Sequence, residues 1–91
     1  MELRWTRSAL RDLDDAGEHI TQENPRAAAA TGRRVQEAVE YLKNHPALGR
    51  AGRLRSTREL VVSGTPFIVV YRVRFGQIQV LRILHHARKW P

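Results

Sequence analysis

Hydrophobic positions along this chain change their period twice. In Glu2–Thr6, Leu3 and Trp5 alternate with polar residues, the two-residue period of a half-buried strand. From Ser8 the spacing lengthens. Leu10, Leu13, Ala16 or Gly17, and Ile20 recur at helical intervals, while Arg11, Asp12, Asp14, Asp15 and Glu18 fill the other side. This pattern predicts an amphipathic helix with one apolar stripe, capped by Thr6 or Ser8. A second helix is predicted from Asn24-Pro25, which supplies an N-cap and a first-turn proline. Its stripe is Ala28, Val35, Val39 and Leu42; Lys43 suits the negative end of the helix dipole, and Pro46 marks the stop. The alanines Ala27–Ala30 permit close approach of the two helices, so an antiparallel helical hairpin is expected.

The short period returns after a Pro-, Gly- and Arg-containing loop, His45–Thr57. Arg58–Val62, Phe67–Phe75 and Ile78–His86 read as strands separated by turns at Ser63–Pro66 and Gly76-Gln77. The order is β-α-α-β-β-β. The last three strands can pair as an antiparallel meander, and the first must join their sheet because alone it leaves its backbone groups unpaired. The helical hairpin then covers one sheet face, which gives a single two-layer α+β domain over residues 1–91.

Alternation also assigns faces. Phe67, Val69, Tyr71, Val73 and Phe75 are expected under the helices; Ile68, Val70, Arg72 and Arg74 then line an open face graded from apolar to basic. On the last strand Val80, Arg82, Leu84 and His86 share one side, and Gln79, Leu81, Ile83 and His85 the other. Arg82 and His86 are expected on the open face.

Composition narrows the function. The 91 residues carry 16 Lys and Arg against 9 Asp and Glu, a net charge of +7. Only Lys43 and Lys89 are lysines, so the cationic chemistry is that of guanidinium, suited to phosphate or carboxylate. An anionic partner is implied, either nucleic acid or an acidic protein. The absence of cysteine excludes disulfides and thiolate metal sites. The polar N-terminus predicts no signal peptide, and no apolar run reaches membrane-span length, so a cytoplasmic protein is expected.

Few residues offer chemistry. Four histidines, His19, His45, His85 and His86, raise the question of a metal, but adjacent strand residues point oppositely, so His85 and His86 are not expected to share an ion. No metal and no cofactor is predicted. His86, with Arg82 and Arg88 near it, could act as a general acid or base on a phosphodiester. Arg50, Arg53, Arg55 and Arg58 form a second basic concentration, suited to phosphates or to an acidic partner. "GRAG" lacks the ending and context of a phosphate loop. Glu59 is the one carboxylate set among the basic strands.

Three stretches, "ELRWTRSALRDLDD", "GRAGRLRSTRELVVSGTPFIVVYRV" and "VLRILHHARKWP", resemble the RelE/ParE superfamily of bacterial type II toxins along essentially the whole chain. "TRELVV", a turn and "PFIVVYRV" resemble its ParE-like branch. The resemblance implies the fold predicted above and a cognate antitoxin. That partner would be of ribbon-helix-helix type, would bind operator DNA, and would wrap the toxin with an acidic tail that folds on binding. It also implies one of two activities: ParE-like inhibition of DNA gyrase, or RelE-like ribosome-dependent cleavage of mRNA. Tyr71 matches the strand tyrosine common to both branches. Ile68 falls where nuclease members carry an arginine, Glu59 and Val61 where basic residues are frequent, and Arg88 matches a recurrent C-terminal arginine. Trp90-Pro91 replaces a terminal tyrosine, and tryptophan cannot act as a base. Gyrase inhibition is therefore the expected activity, with Arg72, Arg82, His86 and Arg88 as the catalytic set should the chain be a nuclease. Antitoxin contacts are expected at Ile68, Val70, Arg72, Arg82, Arg50, Arg53, Arg55 and Arg58. Target contacts are expected at His86, Arg88, Lys89 and Trp90.

Overall fold

The structure, a computed structural model, describes residues 1–86 and 90–91, with residues 17–23 described in backbone alone. Strand β1 (Glu2–Trp5) leads into helices α1 (Arg7–Glu23) and α2 (Pro25–Tyr41). Strands β2 (Arg50–Ala51), β3 (Arg58–Val61), β4 (Phe67–Arg74) and β5 (Gln77–His85) follow. They form one sheet in the order β1-β5-β4-β3-β2. β3, β4 and β5 are the antiparallel meander; β1 joins it parallel to β5, with Leu3 opposite Ile78. The two-residue β2 lies inside the stretch read from sequence as a loop and pairs antiparallel with β3.

Local chemistry fixes both helix starts. The Thr6 hydroxyl accepts from the Ala9 N–H at 3.0 Å and donates to the Leu81 carbonyl at 2.9 Å, so the cap also seats α1 on β5. Asn24 caps α2, its side chain accepting from the N–H groups of Arg26 and Ala27, with Pro25 in the first turn. Ala9, Val35, Val39 and Leu42 then meet Val69, Tyr71, Ile78, Val80 and Ile83 in the core between layers.

Four sequence expectations are corrected. Leu10 is 49% exposed, and Ala9 takes its place in the core. The Thr6 anchor sets the rotation of α1, and it turns Asp12, expected in solvent, toward β5. Second, Val70 pairs with Arg82 but Tyr71 with Val80, so Leu81 is an extra residue in β5. This bulge shifts the alternation: Val80, expected on the open face, is in the core, as is Ile83, while Arg82 and Leu84 pair with the open-face residues Val70 and Ile68. Third, Phe75 is no core residue. It sits in the β4–β5 turn beside Gly76, both with positive φ (52° and 70°), and is 87% exposed. Finally, Ile68 and Val70 lie on the open face yet are buried, Val70 completely.

Candidate functional site

The open face has two unlike halves, separated by the bulge level of β4 and β5. On one half a row runs Arg50–Glu59–Val70–Arg82 across four strands. Its two ends are built as ion pairs. Glu59 is 2% exposed and accepts from the Arg53 backbone N–H at 2.8 Å and from its guanidinium at 3.0 and 3.3 Å; Arg50 stands at 3.6 Å. The hydrogen bonds from Arg53 hold the Glu59 carboxyl below the usual carboxylate range against the opposing effect of burial. At the other end Arg82 donates Nε and Nη2 to the two Asp12 oxygens at 2.7 and 3.0 Å, and the Ile83 N–H donates to the same carboxylate at 3.0 Å. Asp12 thereby satisfies a strand N–H that β1 is too short to reach, and it raises the Arg82 pKa above its ordinary value.

Trp90 spans these two ends. Its ring lies 5.4 Å from the Arg82 guanidinium, and its carbonyl accepts from Arg53 Nη1 at 3.2 Å. The C-terminal tryptophan is thus held across the Val70 row, which accounts for an open-face valine without exposure. The Trp90 indole N–H is buried with no acceptor among the described residues.

Of the predicted site residues, Arg50, Arg53, Ile68 and His86 do converge, lining one cleft on this half together with Glu59. The His86 ring nitrogen Nδ1 is 3.0 Å from the Pro66 carbonyl, which favours the Nδ1–H tautomer and leaves Nε2 for other work. The argument that His85 and His86 point oppositely does not hold. β5 ends at His85, His86 lies in a turn, and the two rings stack at 4.9 Å. Among the described residues no three metal-ligating groups gather. His19 lies outside the residues described in full, and Arg88 and Lys89 lie outside the described residues.

The basic loop divides by role. Arg53 is held by Glu59, and Arg58 donates to the Gly49 carbonyl at 2.7 Å and the Ala47 carbonyl at 3.3 Å, so both fasten the loop. Arg50 and Arg55 are exposed. Tyr71, which the sequence comparison of the strand singled out, is fully buried. It accepts from the Gly49 N–H and donates to the Pro46 carbonyl, both at 2.8 Å, and burial pushes its pKa above the usual value. Sequence reasoning missed Tyr41, Leu48 and Val61. These exposed apolar side chains border a groove between α2 and β3; an alternating-face reading of each strand alone does not bring them together.

This arrangement of a helical hairpin over a five-stranded sheet is similar to that of a chain from the chromosomal ParDE toxin–antitoxin system of P. aeruginosa. That chain superposes with a TM-score of 0.84 at 32% identity over 93% of this chain and 95% of that one. The RelBE2 toxin–antitoxin complex of Mycobacterium tuberculosis shares the fold, with a TM-score of 0.63 at 24% identity over 92% and 95% of the two chains. This chain belongs to the ParE toxin family of type II toxin–antitoxin systems, whose family model matches residues 3–90. It is 43% identical over 89 residues to the toxin Y4kP of Sinorhizobium fredii, covering 98% of this chain and 92% of the relative. Toxin RelE2 of Caulobacter vibrioides is 37% identical over 92% and 93% of the two chains. Toxin ParE1 of the same bacterium is 31% identical over 92% and 88%. No helix among the described residues is long and apolar enough to cross a membrane.

Proposed function

We propose that this toxin inhibits DNA gyrase and is held inactive by a cognate antitoxin, through which it reaches operator DNA. One observation carries the choice of target: two open-face cations beside the cleft, which a nuclease would turn on a scissile phosphate, are held by internal carboxylates. Arg82 is forked onto Asp12 and Arg53 onto Glu59, with Ile68 where a further arginine would stand. A guanidinium neutralised in this way contributes little to stabilising charge on a phosphate. The ParE family match supports the same target. Induction in a sensitive bacterium should produce filamentation and an SOS response, and purified protein should trap cleaved gyrase–DNA complexes. Rapid translation arrest with ribosome-dependent cuts in mRNA would overturn the reading.

A second reading, an mRNA interferase, is favoured by the shared cleft of His86, Glu59, Arg50 and Arg53. The two separate at one residue: under gyrase inhibition by other surfaces His86→Ala keeps its toxicity, whereas under nuclease chemistry it loses it while antitoxin binding persists.

For the antitoxin we propose the β2 edge, with Arg50 and Arg55, and the groove beside Tyr41, Leu48 and Val61. An extended acidic segment can pair with a free strand edge while an amphipathic helix fills the groove. Contact with the Val70 row first requires Trp90 to leave its place between Arg53 and Arg82.

A further inference from the structure

The other half of the open face is bare, and its composition is different. Beyond the bulge the rows read Arg4–Gln79–Arg72 and Glu2–Gln77–Arg74 across β1, β5 and β4. No apolar side chain interrupts them. Arg72 Nε donates to Gln79 Oε1 at 2.6 Å, and Gln77 donates to Glu2 at 3.2 Å; Glu2 also pairs with Arg4 at 3.6 Å. At the tip stands Phe75, 87% exposed, with the Arg74 guanidinium 5.5 Å from its ring. A phenylalanine at φ 52° occupies backbone space that bulky residues rarely adopt, and Ser56, at φ 64°, does the same at the neighbouring loop. The two-residue hairpin turn Phe75-Gly76 takes positive φ at both positions, and it fixes the ring at the tip of the sheet.

We infer that this half-face is a binding platform for single-stranded nucleic acid. One base stacks on Phe75, Gln77 and Gln79 face base edges, and Arg4, Arg72 and Arg74 follow the phosphates. Two strand spacings separate β1 from β4, about 10 Å in all, room for two or three nucleotides. Guanidinium and amide groups around a lone ring match the chemistry of sheet-based single-strand readers. A protein hot spot would instead surround the ring with apolar contacts. Apart from Arg72, which the nuclease reading shares, its residues lie at the opposite end of the sheet from Ile68, Trp90 and His86, so the inference stands whichever target the toxin poisons.

The test is fluorescence anisotropy of a labelled twelve-nucleotide oligothymidylate with the full chain, at several salt concentrations. Affinity should fall as salt rises. Phe75→Ala should weaken binding about tenfold with no change in charge, since one stacked base is lost. Phe75→Trp should retain binding, and its new indole should be quenched by the oligonucleotide. Arg74→Ala should weaken binding more than Arg33→Ala, an equal charge loss on an exposed α2 position. Phe75→Asn should fold at least as well as the parent, because asparagine tolerates positive φ, and still bind weakly. If Phe75→Ala binds as the parent does, or Arg74→Ala and Arg33→Ala weaken binding equally, only diffuse positive charge is at work and the platform is wrong. Loss of binding to an acidic protein in Phe75→Ala, with oligonucleotide binding intact, would also overturn it.

Discussion

Tyr71 shows how much one hydroxyl can organise. Its two hydrogen bonds tie the Pro46–Gly49 segment to the centre of the sheet, and Gly49 has no room for a side chain there: a Cβ would fall 2.7 Å from the tyrosine ring. Tyr71→Phe leaves the buried Gly49 N–H without an acceptor, and should cost about 2 kcal/mol in denaturant unfolding. Amide exchange at Gly49 should accelerate in the same variant. Glu59 adds a pH dependence. Its folded pKa lies below the unfolded value, so its contribution is complete above about pH 4.3 and is lost as pH falls through the folded value. Thermal melts should therefore decline on that acid side. Glu59→Gln should melt lower at neutral pH and show a flatter acid limb. A parent melt with no acid decline would count against the ion pair. Neither role is written in the sequence. A strand tyrosine and a strand glutamate acquire their partners from a loop distant along the chain, which no local period encodes.

At the scale of elements, both helices and every strand but the two-residue β2 were legible, because each carries a clean period and recognisable ends. Asn24-Pro25 announces α2, and the turns at Ser63–Pro66 and Gly76 punctuate the meander. What escaped was what one element does to another. The bulge at Leu81 cannot be read from β5 itself, because Val80, Leu81, Ile83 and Leu84 are apolar on both sides of it. Asp12 reads as a solvent residue on a helical wheel, yet it closes the unpaired edge of β5. Asp12→Ala removes a half-buried ion pair and a strand N–H acceptor together, and should destabilise the fold by about 2–3 kcal/mol. Arg82→Met, which removes the charge and keeps the length, should cost less.

For the whole molecule, net charge foretold an anionic partner but not where it sits. Counting arginines treats Arg53, Arg58 and Arg82 as available, although the fold employs them as fasteners. If Arg50 and Arg55 carry antitoxin recognition, affinity measured by calorimetry should fall with ionic strength; affinity independent of salt would assign the binding to the apolar groove. Antitoxin entry onto the Val70 row should also release Trp90, visible as a change in indole fluorescence that Trp90→Phe abolishes.

The extra residue at Leu81 has one more consequence. It lets a single pair of strands wear two faces that answer to different selective pressures. The surface of Ile68, Val70, Arg82 and Trp90 can drift with an antidote, while the surface of Arg72, Arg74, Phe75 and Gln79 can drift with whatever single strand it binds. Exchanging only the hairpin Arg72–Gln79 between relatives should therefore move one specificity and leave the other with its original owner.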